Sequence, residues 1–314
     1  MRLIKLPSDT HFRFMKFWKA GFFVSTGLSV LSIVLFFVVG LNYGIDFQGG
    51  TLVEIQTKDG PANIAEMRSE IGELNLGDVQ IQQFGAPDTV LIRVVRQPGG
   101  EDAQQRAVQL MRDMFADTVD FRRVEVVGPR VSGELAQAGI IAVVVALLAI
   151  MVYIWLRFEW QFAVGAVITT LHDVLLTIGI FAVTQLEFNL STIAAVLTIV
   201  GYSLNDTVVV YDRLRENLRR YKKMAMPEMI DLSINQMLSR TLMTSITTLI
   251  ALGALFVFGG EVIRSFTFAM IWGVLIGTYS SIFVAAPLLI WFGLRPSSPD
   301  DSAAGTAEPA AAAS

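Results

Sequence analysis

The stretch LSTIAAVLTIVGYSLNDTVVVYDRLRENLRR, residues 190–220, decides the fold. Its first two thirds are apolar over about 20 residues, the length a helix needs to cross a bilayer. It then runs into arginines, as a helix does where it leaves the membrane on its basic side. One carboxylate, Asp206, stands inside the apolar part. Five more runs read the same way, at 20–41, 138–156, 162–184, 242–258 and 266–292. With 190–210 they predict a polytopic α-helical membrane protein of six transmembrane helices. The run 242–258 is the least apolar and carries several hydroxyls; 266–292 is long enough to tilt or break.

Composition agrees. Hydrophobic residues make up 53% of the 314 and charged residues 17%, where a soluble domain carries about a quarter charged. Mean hydropathy is +0.56. A net charge of −4 without a basic surface speaks against nucleic acid. The absence of cysteine excludes disulfides, thiolate zinc sites and thiol catalysis. His11 and His172 are too far apart in sequence to suggest a histidine-rich metal site, so no metal or cofactor is expected. The basic N-terminus and the run 20–41 resemble a signal peptide. The run is too long for one, however, and no A-x-A site follows, so it predicts a retained helix.

Lysine and arginine set the orientation. Arg2, Lys5, Arg13, Lys16 and Lys19 precede the first run. Arg213, Arg215, Arg219, Arg220, Lys222 and Lys223 follow the fourth, whereas the loops 185–189 and 259–265 hold only Arg264. This predicts cytoplasmic termini, with 1–19 inside and a basic cytoplasmic loop at 211–239 within a bundle spanning 138–293. Residues 42–137 fall outside. There, 51–56 alternates in strand fashion, Pro61 opens a helix striped by Ile64, Met67, Ile71 and Leu74, and strands follow at 79–84 and 90–95. A second helix from about 101 carries Val108, Met111 and Phe115, and a last strand covers 121–127. The order βαββαβ is that of a ferredoxin-like α+β domain. The tail 294–314, of Ser, Asp, Ala, Pro and Gly, predicts disorder.

Charges inside membrane helices cost about 2.5–3.5 kcal/mol on insertion scales and so mark candidate sites. Asp206 has Tyr202 and Ser203 on its face, one turn back. It reads as a carboxylate that binds and releases a proton, or as a helix-end acid in contact with interfacial water; the polar cluster favours the first. Arg240 enters the fifth helix at compatible depth, with Thr244 on the same face. A cation alongside favours the carboxylate and burial favours the neutral acid, so a movable Arg240 could switch Asp206. A static salt bridge, or an arginine snorkelling to headgroups, reads equally well. His172-Asp173, the deepest pair, is either a second relay element or interhelical hydrogen bonding. Asp212 and Arg213 read as interface anchors. The segment 44–51, GIDFQGGT, lacks a P-loop lysine and reads as a turn out of the membrane, with Asp46 bonded to local amides.

Four segments together resemble the SecD/SecF family of protein-export membrane proteins, within the RND superfamily: GIDFQGGT at 44–51, EVVGP at 125–129, GYSLNDTVVVYDRLREN at 201–217 and SINQMLSRT at 233–241. The likeness covers about 17–294, with Met237 where the family commonly has Thr. It implies a six-helix chain that pairs with SecD into a twelve-helix assembly in the bacterial inner membrane, among membrane lipids. It further implies association with the SecYEG channel, with YajC and YidC as additional associates. The assembly would use the proton-motive force to aid late movement of a preprotein, without enzyme activity. Asp206 matches the family's proton-carrying carboxylate and Arg240 its partner arginine; 42–137 matches the small periplasmic domain. One proton crossing 100 mV releases about 2.3 kcal/mol, enough to bias a conformational equilibrium more than tenfold. Other readings are an RND-type exporter of lipids or small molecules, an intramembrane aspartyl protease using Asp173 and Asp206, and an assembly factor with no proton role.

Overall fold

The structure, a computed structural model, describes residues 10–294. Arg2, Lys5 and the expected disordered tail beyond Leu294 lie outside the described residues. Helix α1 (Trp18–Val38) is the first of six helices, among the described residues, long and apolar enough to cross a membrane. After it come a single-turn helix α2 (Ile45–Gln48), β1 (Gly50–Thr57), α3 (Ile64–Glu73), β2 (Val79–Gln83), β3 (Thr89–Val94), α4 (Gly100–Phe115) and β4 (Val119–Val127). The four strands form one sheet in the order β2-β3-β1-β4, every neighbouring pair antiparallel. This is the expected ferredoxin-like arrangement.

Alternation explains the domain's layers. Val53, Ile55, Val90 and Ile92 point to one face and pack under Met67 and Ile71 of α3 and Met111 and Phe115 of α4. Leu52 and Leu91 point to the other face and pack on Ile45 of α2. The Asn63 side chain accepts from the Glu66 amide at 3.3 Å, so α3 starts three residues after Pro61, with Asn63 as its N-cap. The segment 44–51 is more than a turn, because it holds α2. Gly49 and Gly50 then turn the chain at φ 72° and 126°. A Cβ on Gly50 would lie 2.5 Å from the Val94 carbonyl oxygen, so only glycine lets β1 start against β3.

The bundle continues with α5 (Pro129–Arg157), α6 (Trp160–Thr184), α7 (Leu190–Arg220), α8 (Met226–Phe258) and α9 (Arg264–Ser280). A π-helical stretch (Ser281–Ala285) joins α9 to α10 (Ala286–Trp291). Several helices outrun the apolar segments that predict them. Helix α5 starts at 129 rather than 138, α7 runs on to 220, and α8 starts at 226 rather than 242. The expected basic loop 211–239 is therefore mostly helix, with only 221–225 between α7 and α8. Hydropathy measures the desolvated length. Arg, Leu, Glu, Gln and Met are good helix formers and carry the helix on into water. The expected break in the last span falls at the π stretch. Pro287 just beyond it lacks an N–H and crowds the preceding turn. The Tyr211 hydroxyl donates to the Ala285 carbonyl at 3.0 Å and satisfies a group inside that stretch.

Helices α6, α7 and α9 with α10 form the interior: 50–67% of their most apolar windows is buried, against 11% in α1, α5 and α8. The latter three thus present open apolar faces to lipid or to another chain. Small residues allow close crossings. A Cβ on Gly179 would lie 2.1 Å from Ser32 Oγ, and one on Gly277 3.1 Å from Ser203 Cβ.

Candidate functional site

Two buried carboxylates stand in the central helices, and their surroundings differ. Asp173 on α6 is 1% exposed and fully engaged. Its Oδ2 accepts from Ser203 Oγ of α7 and from Ser280 Oγ of α9, the latter at 2.8 Å. Its Oδ1 lies 2.9 Å from His172 Nδ1. Three helices are therefore joined at one carboxylate. Ser203, which helical spacing places on the face of Asp206, turns instead to Asp173. Gly277 makes this possible by letting α7 come close to α9. Sequence reasoning missed Ser280. A hydroxyl among the small residues Gly277, Thr278 and Ser281 of an apolar span was the available signal.

Asp206, one turn along α7 from Ser203, is 3% exposed. Its Oδ2 is buried without a hydrogen-bond partner among the described residues. Tyr202 Oη and Thr207 Oγ1 on the same helix, His172 Nε2 on α6 and Trp272 Nε1 on α9 are buried and partnerless as well. Buried polar atoms are normally satisfied, and an ionised carboxylate without donors is the costliest exception. Asp206 is therefore the least settled charge in the bundle, and its free oxygen can take a proton.

Arg240 on α8 is the charged side chain whose field acts on Asp206. Among the described residues no ion pair joins the two. Arg240 is exposed and lines an open cavity of about 430 Å³ with Arg157, Asp212, Arg213 and Glu216. The anchors expected at the membrane edge have definite partners there: Asp212 lies 3.7 Å from Arg157 Nη2, and Arg213 Nε donates to Gln236 Oε1 at 2.6 Å. The Thr244 hydroxyl is spent on its own helix, donating to the carbonyls of Thr241 at 2.9 Å and Arg240 at 3.2 Å. Such back-bonding is common for hydroxyls in apolar helices, and it removes Thr244 from the Asp206 cluster.

The segment 233–241 also holds α7 and α8 together at the basic end, a role its spacing did not show. Asn217 Nδ2 donates to Ser233 Oγ at 2.8 Å and to Gln236 Oε1 at 2.9 Å. Next to this staple, Asn235 exchanges hydrogen bonds with the backbone of Phe12, at 2.9 Å and 2.8 Å. The helix bearing Asp206 and the helix bearing Arg240 are thus fixed at one end.

Fold and site together define a class: a polytopic helical membrane protein with an α+β domain between its first two spans and buried carboxylates at its centre. The family described as protein export membrane protein SecD/SecF, C-terminal, matches residues 107–295, and the SecD/SecF GG motif matches 34–60. The protein translocase subunit SecF of Rickettsia felis is 46% identical over 294 residues, covering 92% of this chain and 94% of that protein. The protein translocase subunit SecDF of Brucella abortus is 48% identical over 311 residues, covering 98% of this chain and 40% of that one. The crystal structure of SecDF from Thermus thermophilus, described as a translocon-associated membrane protein, superposes with a TM-score of 0.83 at 34% identity. It covers 93% of this chain and 40% of that chain. The chain belongs to the SecD/SecF family, on the SecF side. It spans about two fifths of the SecDF proteins it matches and nearly all of the SecF protein.

Proposed function

We propose that this chain is the SecF-type half of a proton-driven protein translocase of the bacterial inner membrane. It acts with a SecD-type partner to promote preprotein movement through SecYEG, with YajC and YidC as further associates. The observation that carries this reading is the contrast between the two acids: Asp173 is saturated by donors, whereas among the described residues Asp206 is buried with a partnerless oxygen and an arginine nearby that forms no ion pair with it. A proton on Asp206 makes that oxygen neutral. On its loss, Arg240 can leave the open cavity and compensate the charge, and the alternation changes how α7 and α8 pack. Asp173, Ser203 and Ser280 act as a fixed pivot, and Tyr202 stands beside Asp206 as a lesser relay candidate.

The arrangement of helix ends supports cytoplasmic termini. The segment before α1 bonds to α8 near Asn235, on the same side as the arginines closing α7. Residues 42–128 then form the periplasmic domain. The match to two fifths of SecDF relatives supports a SecD-type partner. The partners of Asp173 are two serines and a histidine rather than a second carboxylate, which speaks against an aspartyl-protease reading.

The test is Asp206→Asn, assembled with its partner in vesicles and assayed for preprotein export with and without a proton-motive force. Assembly is expected intact and the proton-dependent stimulation lost; undiminished stimulation refutes the proposal. Arg240→Met is expected to give the same phenotype at normal protein level. A fall in protein level alone would make Arg240 a static structural charge.

A further inference from the structure

The extramembrane domain grips the turn between α6 and α7. Part of the grip is backbone: Phe188 N–H donates to Asn42 O at 2.7 Å, and Gly44 N–H to Phe188 O at 2.9 Å. These bonds tie down only the chain leaving α1. The sheet itself reaches the turn through Arg93 of β3. Its Nη2 lies 2.6 Å from Glu187 Oε2, and its Nη1 donates to Asn42 Oδ1 at 3.3 Å and Tyr43 O at 3.5 Å. The side chains of Arg93 and Glu187 are 12% and 22% exposed. In such a site, breaking one partner strands a charge.

Asp46 of α2 adds a second hold. Its Oδ2 accepts from the Leu190 amide at 2.8 Å, placing a negative charge on the first turn of α7, where the helix dipole favours it. Asp46 thus bonds a backbone amide 144 positions away rather than its own neighbours. The domain therefore holds the N-terminal end of the helix that carries Asp206, some 24 Å away along its axis at 1.5 Å per residue.

The hold is balanced rather than permanent. Burial pushes the Glu187 carboxyl above its ordinary range, Arg93 pulls it down, and Asp46 and Glu125 push it up again. Glu187 also lines a cavity of about 200 Å³, together with Ile45, Leu91, Arg123 and Glu125 among others. The sheet has room to shift there if the ion pair opens.

We infer that Arg93 and Glu187 form a releasable latch, positioning residues through which movement of α7 is passed to the outer domain. The inference rests on the reading of Asp206 as the proton carrier. It adds the physical link by which protonation inside the membrane reaches the side where the preprotein emerges. The pair is a better candidate for this link than the backbone bonds, because it ties the sheet itself, through β3, to the α6–α7 turn, whereas those bonds reach only residues 42–44.

The chain has no cysteine, so spin labels can be placed at Gln80→Cys on β2 and Val257→Cys at the end of α8, both exposed. Label distances are measured by double electron–electron resonance in the full chain with its partner in nanodiscs. A narrow distribution is expected for the latched protein. Arg93→Glu, Glu187→Arg and the milder Glu187→Gln are each expected to broaden it on the order of twofold, by loss of a largely buried partner. The swap Arg93→Glu/Glu187→Arg restores the narrow form. Adding Asp206→Asn shifts the distance in the latched and swapped proteins and not in the single variants. Unchanged distributions in the single variants, a swap no better than they are, or an Asp206→Asn shift that is absent or equal in all backgrounds would overturn the latch. The export assay of Asp206→Asn separately decides whether Asp206 carries a proton, so the two failures are distinguishable.

Discussion

Replacing Ser280 by alanine removes one of the two serine hydroxyls that donate to Asp173 Oδ2; Ser203 supplies the other. In soluble proteins a hydrogen bond to a charged group is worth about 1.5–3 kcal/mol. Interhelical bonds within membranes average about 0.6 kcal/mol and reach about 1.7, because the unfolded chain in lipid also finds partners. The first deletion leaves Asp173 with Ser203 and His172, so Ser280→Ala or Ser203→Ala alone is expected to cost about 0.5–1.5 kcal/mol. The second strips Oδ2 of every donor. The double variant should therefore lose about 1 kcal/mol more than the sum, a coupling within the range for neighbours sharing a network. Asp173→Asn keeps an amide oxygen that can accept from both serines, and it is expected to fold and to support export. Asp173→Leu removes the acceptor from the Ser203 hydroxyl and the His172 imidazole, leaves Ser280 only the Gly277 carbonyl at 3.2 Å, and is expected to fail in assembly. Detergent-induced unfolding in mixed micelles, followed by circular dichroism, measures the cycle. Additivity within about 0.5 kcal/mol would show that the serines do not share the carboxylate. An Asp173→Asn protein that folds normally yet loses proton-dependent export would make Asp173 a proton carrier and refute the pivot.

Gln236→Leu removes the acceptor shared by Arg213 and Asn217. It should cost about 1–3 kcal/mol by leaving partly buried donors unpaired, read in the same unfolding assay, with a larger loss than Met237→Leu next to it. Gly179→Ala drives a methyl against Ser32 on α1. Overpacking of about 1–3 kcal/mol is expected, and adding Ser32→Gly should recover most of it, since that removes the nearest clashing atoms; thermal unfolding of the purified proteins tests both.

The sequence made the six spans legible because each is a long apolar run in a chain otherwise punctuated by charge. It did not show where the helices end. Residues 211–220 and 226–241 carry charges that solvate readily, and nothing in hydropathy separates a solvated helix from a loop. The domain was legible because Val53, Ile55, Met67 and Ile71 keep the periods of strand and helix. Asp206 stood out as a lone acid in an apolar run. The partners of Asp173 could not be read from spacing, because Ser280 is 107 positions away. Spacing also puts Ser203 and Asp206 on neighbouring positions of α7 without saying which adjacent helix each one meets. The bond from Leu190 to Asp46 was hidden for the same reason. The glycine run that suggested a local turn gave no hint that Asp46 would reach another helix.

The account turns on whether Asp206 takes up and releases a proton. Infrared difference spectroscopy of the protein reconstituted with its partner, recorded as pH is stepped, observes this directly through the carbonyl stretch of a protonated carboxyl. The account predicts a carboxyl band that appears on acidification, vanishes in Asp206→Asn and persists in Asp173→Asn. A carboxyl band unaffected by Asp206→Asn, or one that disappears with Asp173→Asn instead, would contradict it.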